Sequence, residues 1–186
     1  MTGNEAVLAV IDALEALGVP YMLVGSYSSN LYGIPRSTED ADVVIQLGPQ
    51  SVSAIASRLG SLFRLDPQMS FETATGTVRN VIDVPGIPFR IELFHLSDDP
   101  HDQERFRRRQ CQNLVNREVF FPTAEDVIIT KLRWALHARR SKDRDDARDV
   151  IAVQGDRIDW DYVHHWCDQH GTRALLEEVR GSIPPI

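Results

Sequence analysis

The sequence predicts an α+β fold in which helices flank a mixed β-sheet and a C-terminal helical bundle follows. Short apolar strands alternate with helical patterns up to Pro122, and only helical patterns come after it. Hydrophobic residues make up 42% of the 186 residues, which is sufficient for one sizeable core. We therefore expect a core domain over residues 1–122 and a C-terminal helical region over residues 123–186, packed together as one compact unit.

The N-terminal elements follow from hydrophobic spacing. Apolar residues recur at helical intervals over residues 5–17, and Gly18 is placed to end this helix. An apolar strand over residues 21–24 then leads through a tight turn into a short helix. A second apolar strand over residues 40–45 comes next, followed by a helix over about residues 50–59. This alternation predicts the first part of the sheet and its flanking helices.

The later elements are a hairpin, one further strand and four helices. Two strands between residues 71 and 96 flank a turn that contains proline and glycine, and an edge strand over residues 118–121 follows. Thr123 and Asp126 form an approximate capping box for the first of the helices. The predicted buried stripe of that helix consists of Val127, Ile128, Leu132 and Leu136. A second helix contains Ala147, Val150 and Ile151, and Gly171 separates the third from the fourth.

The turn after the first strand has the character of an anion site. Gly25 lets a phosphate approach the backbone closely, because glycine has no side chain. The hydroxyl of Ser26 can donate to a phosphate oxygen in the positive field at the start of a helix. The pair therefore indicates a site for a phosphate group.

Two carboxylates open the second apolar strand. The two-residue period of a strand places Asp40 and Asp42 on the same face. Carboxylates held side by side repel, and a divalent cation such as Mg²⁺ relieves that repulsion. Glu92, in an alternating apolar run, is the candidate third acid on a neighbouring strand. The competing interpretations are a solvated strand end for the two aspartates and a surface position on an edge strand for Glu92.

These residues resemble the nucleotidyltransferase superfamily, which includes DNA polymerase beta and small bacterial transferases. The matching residues are Gly25, Ser26, Asp40, Asp42 and Glu92. The run over residues 33–42 resembles the Gly-x-x-Arg-x-Thr-x-Asp-x-Asp motif of the AbiEii-like group, which includes toxins of abortive-infection systems. Residues 123–132 resemble the helix that carries the group's lysine, here Lys131, and residues 142–149 resemble the acidic motif that follows it. The third acid departs from the more common aspartate.

The resemblance, which covers roughly residues 20–153, implies a magnesium-dependent transfer of a nucleoside monophosphate from a nucleoside triphosphate to an acceptor hydroxyl. The implied catalytic residues are Asp40, Asp42, Glu92 and Lys131. The implied nucleotide-binding residues are Gly25, Ser26, Arg36, Thr38, Asp143 and Asp146. The three acids Asp40, Asp42 and Glu92 would hold two Mg²⁺ ions, for which Mn²⁺ can substitute. An RNA or tRNA 3′ end is the favoured acceptor, with a protein or a small-molecule hydroxyl as alternatives.

Simpler interpretations of the motif residues stay open at this point. Arg36 could pair with Asp40 or Glu39, and Thr38 could cap the turn. Lys131 could be a solvated lysine, since the apolar stripe of its helix does not include it. The residues Asp143, Asp146 and Asp149 share one helix face, which could be an exposed charged face; the competing interpretation is that Asp143 or Asp146 anchors Lys131 toward the triphosphate.

Composition indicates a cytoplasmic protein without a membrane segment or a disulfide framework. No apolar run approaches the length of a membrane span, and the two cysteines show no metal-binding spacing. The net charge of −7 argues against broad nonspecific nucleic-acid binding. If RNA is the acceptor, its phosphates are expected at two basic runs. These runs are Arg105, Arg107, Arg108, Arg109 and Arg139, Arg140, Lys142, Arg144.

Two other classes of protein remain compatible with the sequence. One is a noncatalytic interaction protein, such as the antitoxin of a toxin–antitoxin pair, and the other is a regulator that binds a nucleotide without transferring it. The presence of both Asp40 and Asp42 favours the enzyme.

Overall fold

A computed structural model describes residues 1–72, 76–138 and 141–184. The chain forms two compact units. The first contains Met1–Tyr27 and Ser37–Phe121, and the second contains Ser28–Arg36 and Pro122–Ile186. The second unit therefore includes a short N-terminal segment that the division expected at residue 122 assigns to the core domain.

The first unit is built around a mixed sheet. Its helices are α1 (Gly3–Ala16), the start of α2 (Gly25–Tyr32), α3 (Val52–Leu59) and α4 (Pro100–Arg107). Its strands are β1 (Tyr21–Val24), β2 (Asp40–Ile45), β3 (Arg64–Leu65), β4 (Ser70–Glu72), β5 (Thr77–Asp83), β6 (Arg90–His95), β7 (Gln110–Leu114) and β8 (Arg117–Phe121). The main sheet has the order β1-β2-β6-β5-β3, and β4 also pairs with β5. Only β2 and β6 run parallel among these pairs, which confirms the mixed sheet.

Both faces of the main sheet carry buried apolar residues. On one face, Met22, Val24, Val44 and Phe94 form a cluster with Phe106 of α4. The opposite face carries Leu23, Val43, Ile45, Ile91 and Leu93, all of them without exposed surface. Burial on both sides explains why these strands appear in the sequence as apolar runs.

Helix α4 and the strands β3 and β7 are elements that the sequence did not indicate, and β4 and β5 replace the single strand expected before the proline–glycine turn. Asp99 caps α4, and Pro100 occupies its first turn, where its missing N–H costs nothing. The helix nevertheless buries the polar residues His101, Asp102 and Arg105 together with Phe106, so no apolar stripe reveals it. Strand β7 pairs only with β8, and the two form a separate small sheet.

The second unit is helical. Its elements are the end of α2, α5 (Ala124–Ala138), α6 (Ser141–Gln154), α7 (Trp160–His170) and α8 (Arg173–Gly181). Thr123 and Asp126 hydrogen-bond to each other at the start of α5, as the capping box predicted. Leu136 is 46% exposed, so its assignment to the buried stripe was wrong. Gly171 ends α7 in the left-handed conformation, which favours glycine.

The core of the second unit combines residues from α5 to α8. The fully buried members include Ile128, Leu132, Val150, Val163 and Leu176. The partly buried Trp160 and Trp166 pack against this cluster. The helices thus bury the faces that the helical spacing indicated.

Candidate active site

The three candidate acids lie on adjacent central strands. Asp40 and Asp42 are on the same face of β2, because they are two residues apart. Glu92 of β6 is in register with Asp42, so its side chain points to that face as well. Strand β6 lies between β2 and β5, and the Glu92 side chain is 14% exposed. The alternative that placed Glu92 on an exposed edge strand was therefore wrong.

The absence of a side chain at Gly25 makes room for Asp42. A Cβ atom at Gly25 would lie 2.8 Å from the Cγ of Asp42 and closer still to one carboxylate oxygen. Gly25 also has φ +62°, a conformation that glycine adopts at low cost. An anion beside the first residue of a helix is stabilised by the helix dipole. In this structure the group next to Gly25 is thus the carboxylate of Asp42.

Asp40 is held by its own turn. Thr38 Oγ1 lies 2.8 Å from Asp40 Oδ1 and 3.1 Å from the Asp40 carbonyl oxygen. Thr38 therefore fixes the Asp40 carboxylate as well as the turn.

Tyr27 lies near enough to Asp40 for the carboxylate charge to affect its hydroxyl. Burial raises the pKa of Tyr27 to about 12, with a further contribution from the negative charge of Asp40. The Tyr27 hydroxyl donates to Asn4 Oδ1 at 2.9 Å.

Glu92 is engaged by an arginine of the next strand. Arg79 Nη1 of β5 donates to Glu92 Oε2 at 2.7 Å. Arg79 Nε donates to Ser70 Oγ at 3.1 Å, and the guanidinium lies 5.9 Å from the centroid of the Phe94 ring. Nothing in the sequence pattern singled out Arg79, because its side chain meets Glu92 only when β5 and β6 are paired in the folded sheet.

The donor set suits a hard divalent cation at Asp40 and Asp42. Magnesium is bound in proteins through one or two carboxylates together with substrate phosphates. Two carboxylates on one strand face meet that requirement. Within the described part of the chain, no three His, Cys, Asp or Glu side chains converge as a metal-binding group. Glu92, the third expected ligand, is instead bonded to Arg79.

A buried charge cluster lies in the second unit. Lys131 Nζ is 2.8 Å from both Asp143 Oδ1 and Asp146 Oδ2. Arg36 donates to both oxygens of Asp146, from Nε at 2.9 Å and from Nη2 at 3.0 Å. The side chains of Lys131, Asp143 and Asp146 are each less than one-tenth exposed. We call these four residues the Lys131 cluster.

The contacts of the Lys131 cluster distinguish between the interpretations that the sequence left open for its residues. Lys131 is buried, so the solvated-lysine interpretation was wrong. Asp143 and Asp146 are buried as well, so they do not form an exposed charged face, and both anchor Lys131. Arg36 pairs with Asp146. The catalytic and nucleotide-binding roles of these residues stay predictions.

The pKa of Asp146 is lowered by its two cationic partners. Burial is the largest influence and raises the pKa, but the hydrogen bonds and the positive charges of Arg36 and Lys131 together outweigh it. A carboxyl with a lowered pKa stabilises the fold above its unfolded pKa of about 4. That contribution is lost as the pH falls through the lower, folded value.

Arg36→Gln is therefore expected to destabilise the protein at neutral pH, and by less in acid. Loss of the paired hydrogen bonds should cost about 1–2 kcal/mol, a value reduced because the Arg36 side chain is 35% exposed. Thermal unfolding at pH 7 should fall by about 2–8 °C. The difference from wild type should shrink as the pH falls below about 4, because Asp146 then takes up a proton in the unfolded state before it does so in the folded state.

Arg148→Gln is the matched control. Arg148 lies on α6, the helix that carries Asp146, but it pairs with Asp145, which is 57% exposed, and with Asp149. An exposed ion pair contributes little, so this variant should unfold close to wild type at both pH values. An Arg36→Gln effect that is equal at pH 7 and in acid would contradict the role of the Asp146 charge.

Several arginines of the first basic run, over residues 105–109, are buried or already engaged by neighbouring side chains, which limits their use as contacts for RNA phosphates. Arg105 is 5% exposed, with Nε 2.9 Å from Asp102 Oδ1. Arg107 pairs with Glu104, and the Arg109 guanidinium lies 4.3 Å from the centroid of the Phe106 ring. In the second run, Arg144 pairs with Glu178, while Lys142 is exposed. Arg139 and Arg140 lie outside the described residues.

A family model described as "Nucleotidyl transferase AbiEii toxin, Type IV TA system" matches residues 12–151. The chain belongs to this family and is a nucleotidyltransferase of a toxin–antitoxin family. Among curated proteins, none matches the chain.

Solved structures share the fold at low sequence identity. The structure of ANT(2″)-Ia in complex with adenylyl-2″-tobramycin has a TM-score of 0.64 and 12% identity, and the match covers 94% of this chain and 99% of that one. The lincosamide antibiotic adenylyltransferase LnuA, with lincomycin bound, has a TM-score of 0.52 and 12% identity, with coverage of 80% and 96%. A nucleotidyltransferase-like protein from Paracoccidioides brasiliensis has a TM-score of 0.50 and 16% identity, with coverage of 95% and 91%.

Two further expectations concern cysteines and membranes. Cys111 is exposed and Cys167 is buried, and both are free thiols, as predicted. Across the described ranges, the helices are too short or too polar to cross a membrane.

Proposed function

We propose that this protein is a magnesium-dependent nucleotidyltransferase that moves a nucleoside monophosphate from a nucleoside triphosphate to an acceptor hydroxyl. The observation that carries the proposal is the position of the Asp42 carboxylate, against Gly25 on one side and in register with Glu92 on the other. The turn at Gly25, which we propose binds phosphate, is thus adjacent to the acidic residues of β2 and β6. It supports a reaction in which phosphate oxygens and carboxylates share a cation.

In this proposal, Asp40 and Asp42 hold the cation, and Glu92 contributes to the place for a second one. Bound Mg²⁺ would neutralise phosphate charge and lower the pKa of the acceptor hydroxyl. Thr38 keeps Asp40 oriented, and Gly25 keeps space for Asp42. These residues set the geometry before the substrate binds, so that little reorganisation is needed during the reaction.

Ser26 and Lys131 are the residues proposed to donate hydrogen bonds to the triphosphate. Ser26 offers a hydroxyl in the first turn of α2. Lys131 has three ammonium protons, of which Asp143 and Asp146 each accept one. The third can go to a phosphate oxygen, as expected for the lysine of the family motif. Arg36 would act indirectly, by holding Asp146.

The transfer itself requires a base on the acceptor side. Glu92 Oε2 is occupied by Arg79, and Oε1 is the oxygen proposed to accept the proton of the acceptor hydroxyl. The hydroxyl oxygen attacks the α-phosphorus in line as the bond to the β-phosphate bridging oxygen breaks, which releases pyrophosphate. The proton then resides on Glu92, and the nucleoside monophosphate is joined to the acceptor.

We favour an RNA or tRNA 3′ end as the acceptor, within a toxin–antitoxin or abortive-infection system. Membership of the AbiEii family supports this choice. Exposed Lys142 remains a candidate phosphate contact, whereas buried Arg105 is a poor one. A small-molecule hydroxyl is the second candidate, because two enzymes with this fold are described with tobramycin and lincomycin.

The test is transfer of label from each α-labelled nucleoside triphosphate in Mg²⁺, with total tRNA, cell lysate, tobramycin and lincomycin as separate acceptors. We expect labelled tRNA with wild type, and no label after chelation of the metal or in Asp42→Asn. Label on a small molecule alone would replace the RNA acceptor. No transfer, together with no Mg²⁺-dependent triphosphate binding, would overturn the catalytic proposal in favour of a noncatalytic interaction protein; binding without transfer would favour a nucleotide-binding regulator.

A further inference from the structure

Arg79 is restrained by three neighbours on the acidic face of the sheet. It donates to Glu92 at 2.7 Å and to Ser70 at 3.1 Å, and it lies over the ring of Phe94. Its side chain is 31% exposed, and that of Glu92 is 14% exposed. Ion pairs that are shielded from water and fixed by further contacts hold their geometry better than surface pairs.

A glutamate at the third acidic position needs such a restraint. Glutamate has one more rotatable bond than aspartate, so its carboxylate is less well fixed by the backbone. The register places Glu92 directly beside Asp42, but it does not fix the direction of the Glu92 carboxylate. Arg79 engages Oε2, one of the two carboxylate oxygens.

We propose that Arg79 is a positioning residue, which holds Glu92 Oε2 and thereby keeps Oε1 available beside Asp42 for the cation and the acceptor proton. This proposal rests on the proposed function. It assigns Arg79 an action through Glu92, without direct contact with the substrate. Hydrogen-bonded partners of ligating carboxylates orient them in this way in metal sites.

The direction in which the cation affinity changes when Arg79 is replaced distinguishes a positioning role from a purely electrostatic one. Removing a positive charge near a cation site would by itself strengthen cation binding. Loss of orientation would weaken it, by about 10-fold or more for a partner of this kind. A weaker affinity in Arg79→Gln would therefore identify positioning as the dominant effect.

The experiment is direct titration of the full chain with Mn²⁺, followed by electron paramagnetic resonance of the free ion. The variants are Arg79→Gln, Arg79→Lys, Glu92→Gln, the Arg79→Gln/Glu92→Gln double variant and Asp42→Asn. Arg64→Gln is the matched control, because Arg64 forms a 2.9 Å pair with Asp83 on the same sheet but is 73% exposed. Thermal unfolding establishes that each variant is folded.

We expect Arg79→Gln to bind Mn²⁺ about 10-fold more weakly, Arg79→Lys to recover part of the loss, and Arg64→Gln to match wild type. The double variant should bind no more weakly than Glu92→Gln alone, because Arg79 acts through Glu92. Unchanged or tighter binding in folded Arg79→Gln would overturn the positioning role while leaving the proposed function intact.

The comparison of wild type with Asp42→Asn tests the proposed function itself. If wild type and Asp42→Asn bind Mn²⁺ equally weakly, the acidic strands hold no cation, and the positioning role fails with them. If wild type binds and Asp42→Asn does not, the cation site stands, and the Arg79 variants alone decide the inference.

Discussion

Replacing Gly25 by alanine is expected to reduce nucleotide transfer by about 100-fold or more, a loss approaching that of removing the Asp42 carboxylate. The added Cβ would lie 2.8 Å from the Asp42 Cγ, and real contacts of this kind are not that short. The carboxylate or the turn must therefore move. A displacement of about 1 Å at a reacting group can cost about 100-fold in rate.

Gly18→Ala separates this effect from backbone strain. Gly18 has φ +65°, close to the +62° of Gly25, but a Cβ there would meet nothing within 4 Å. Both variants should lose about 1–2 kcal/mol of stability, the cost of a left-handed conformation for alanine. Only Gly25→Ala should lose transfer activity, measured as kcat/KM with labelled triphosphate. Equal activity of the two folded variants would show that Asp42 does not need its position against Gly25.

In the first unit, the sequence predicts some parts of the candidate site and not others. Period two places Asp40 and Asp42 on one face, and the apolar runs predict that their strand is buried. The neighbouring position of Glu92 depends on the parallel pairing of β2 with β6, which a sequence suggests only weakly. Arg79 could not be found at all, since it lies 13 residues from Glu92 in the chain and meets it across a hairpin.

The Lys131 cluster shows a second limit. Arg36 and Asp146 are 110 residues apart, and no local pattern pairs them. Helical spacing correctly placed Asp143 and Asp146 on one face of α6, but spacing describes direction and not burial. Charged residues are exposed in most helices, so their burial follows only when their partners are known. Helix α4 escaped prediction for the same reason, because its buried face is largely polar.

Lys131→Met is expected to produce the largest loss of stability among these variants. Asp143 Oδ1 bonds to Lys131, and its buried Oδ2 has no hydrogen-bond partner among the described residues. Without the lysine, Asp143 would be a buried carboxylate with no cation at 2.8 Å, and Asp146 would keep only Arg36. Removing one partner of a buried ion pair costs about 3–5 kcal/mol. We expect the midpoint of thermal unfolding to fall by about 6 °C or more at pH 7.

Lys142→Met provides a close control, since Lys131 and Lys142 are the two lysines of the chain and Lys142 is exposed. Methionine has similar length and helix propensity, so the two variants differ mainly in the burial of the lost charge. Lys142→Met should unfold close to wild type. In Lys131→Met the deficit should diminish below about pH 4, because the stability that wild type gains from the lowered pKa of Asp146, to which Lys131 contributes, is lost there. A large deficit that persists unchanged in acid would instead indicate that Lys131 contributes through the packing of its side chain, and the charge balance of the cluster would not be what holds α5 to α6.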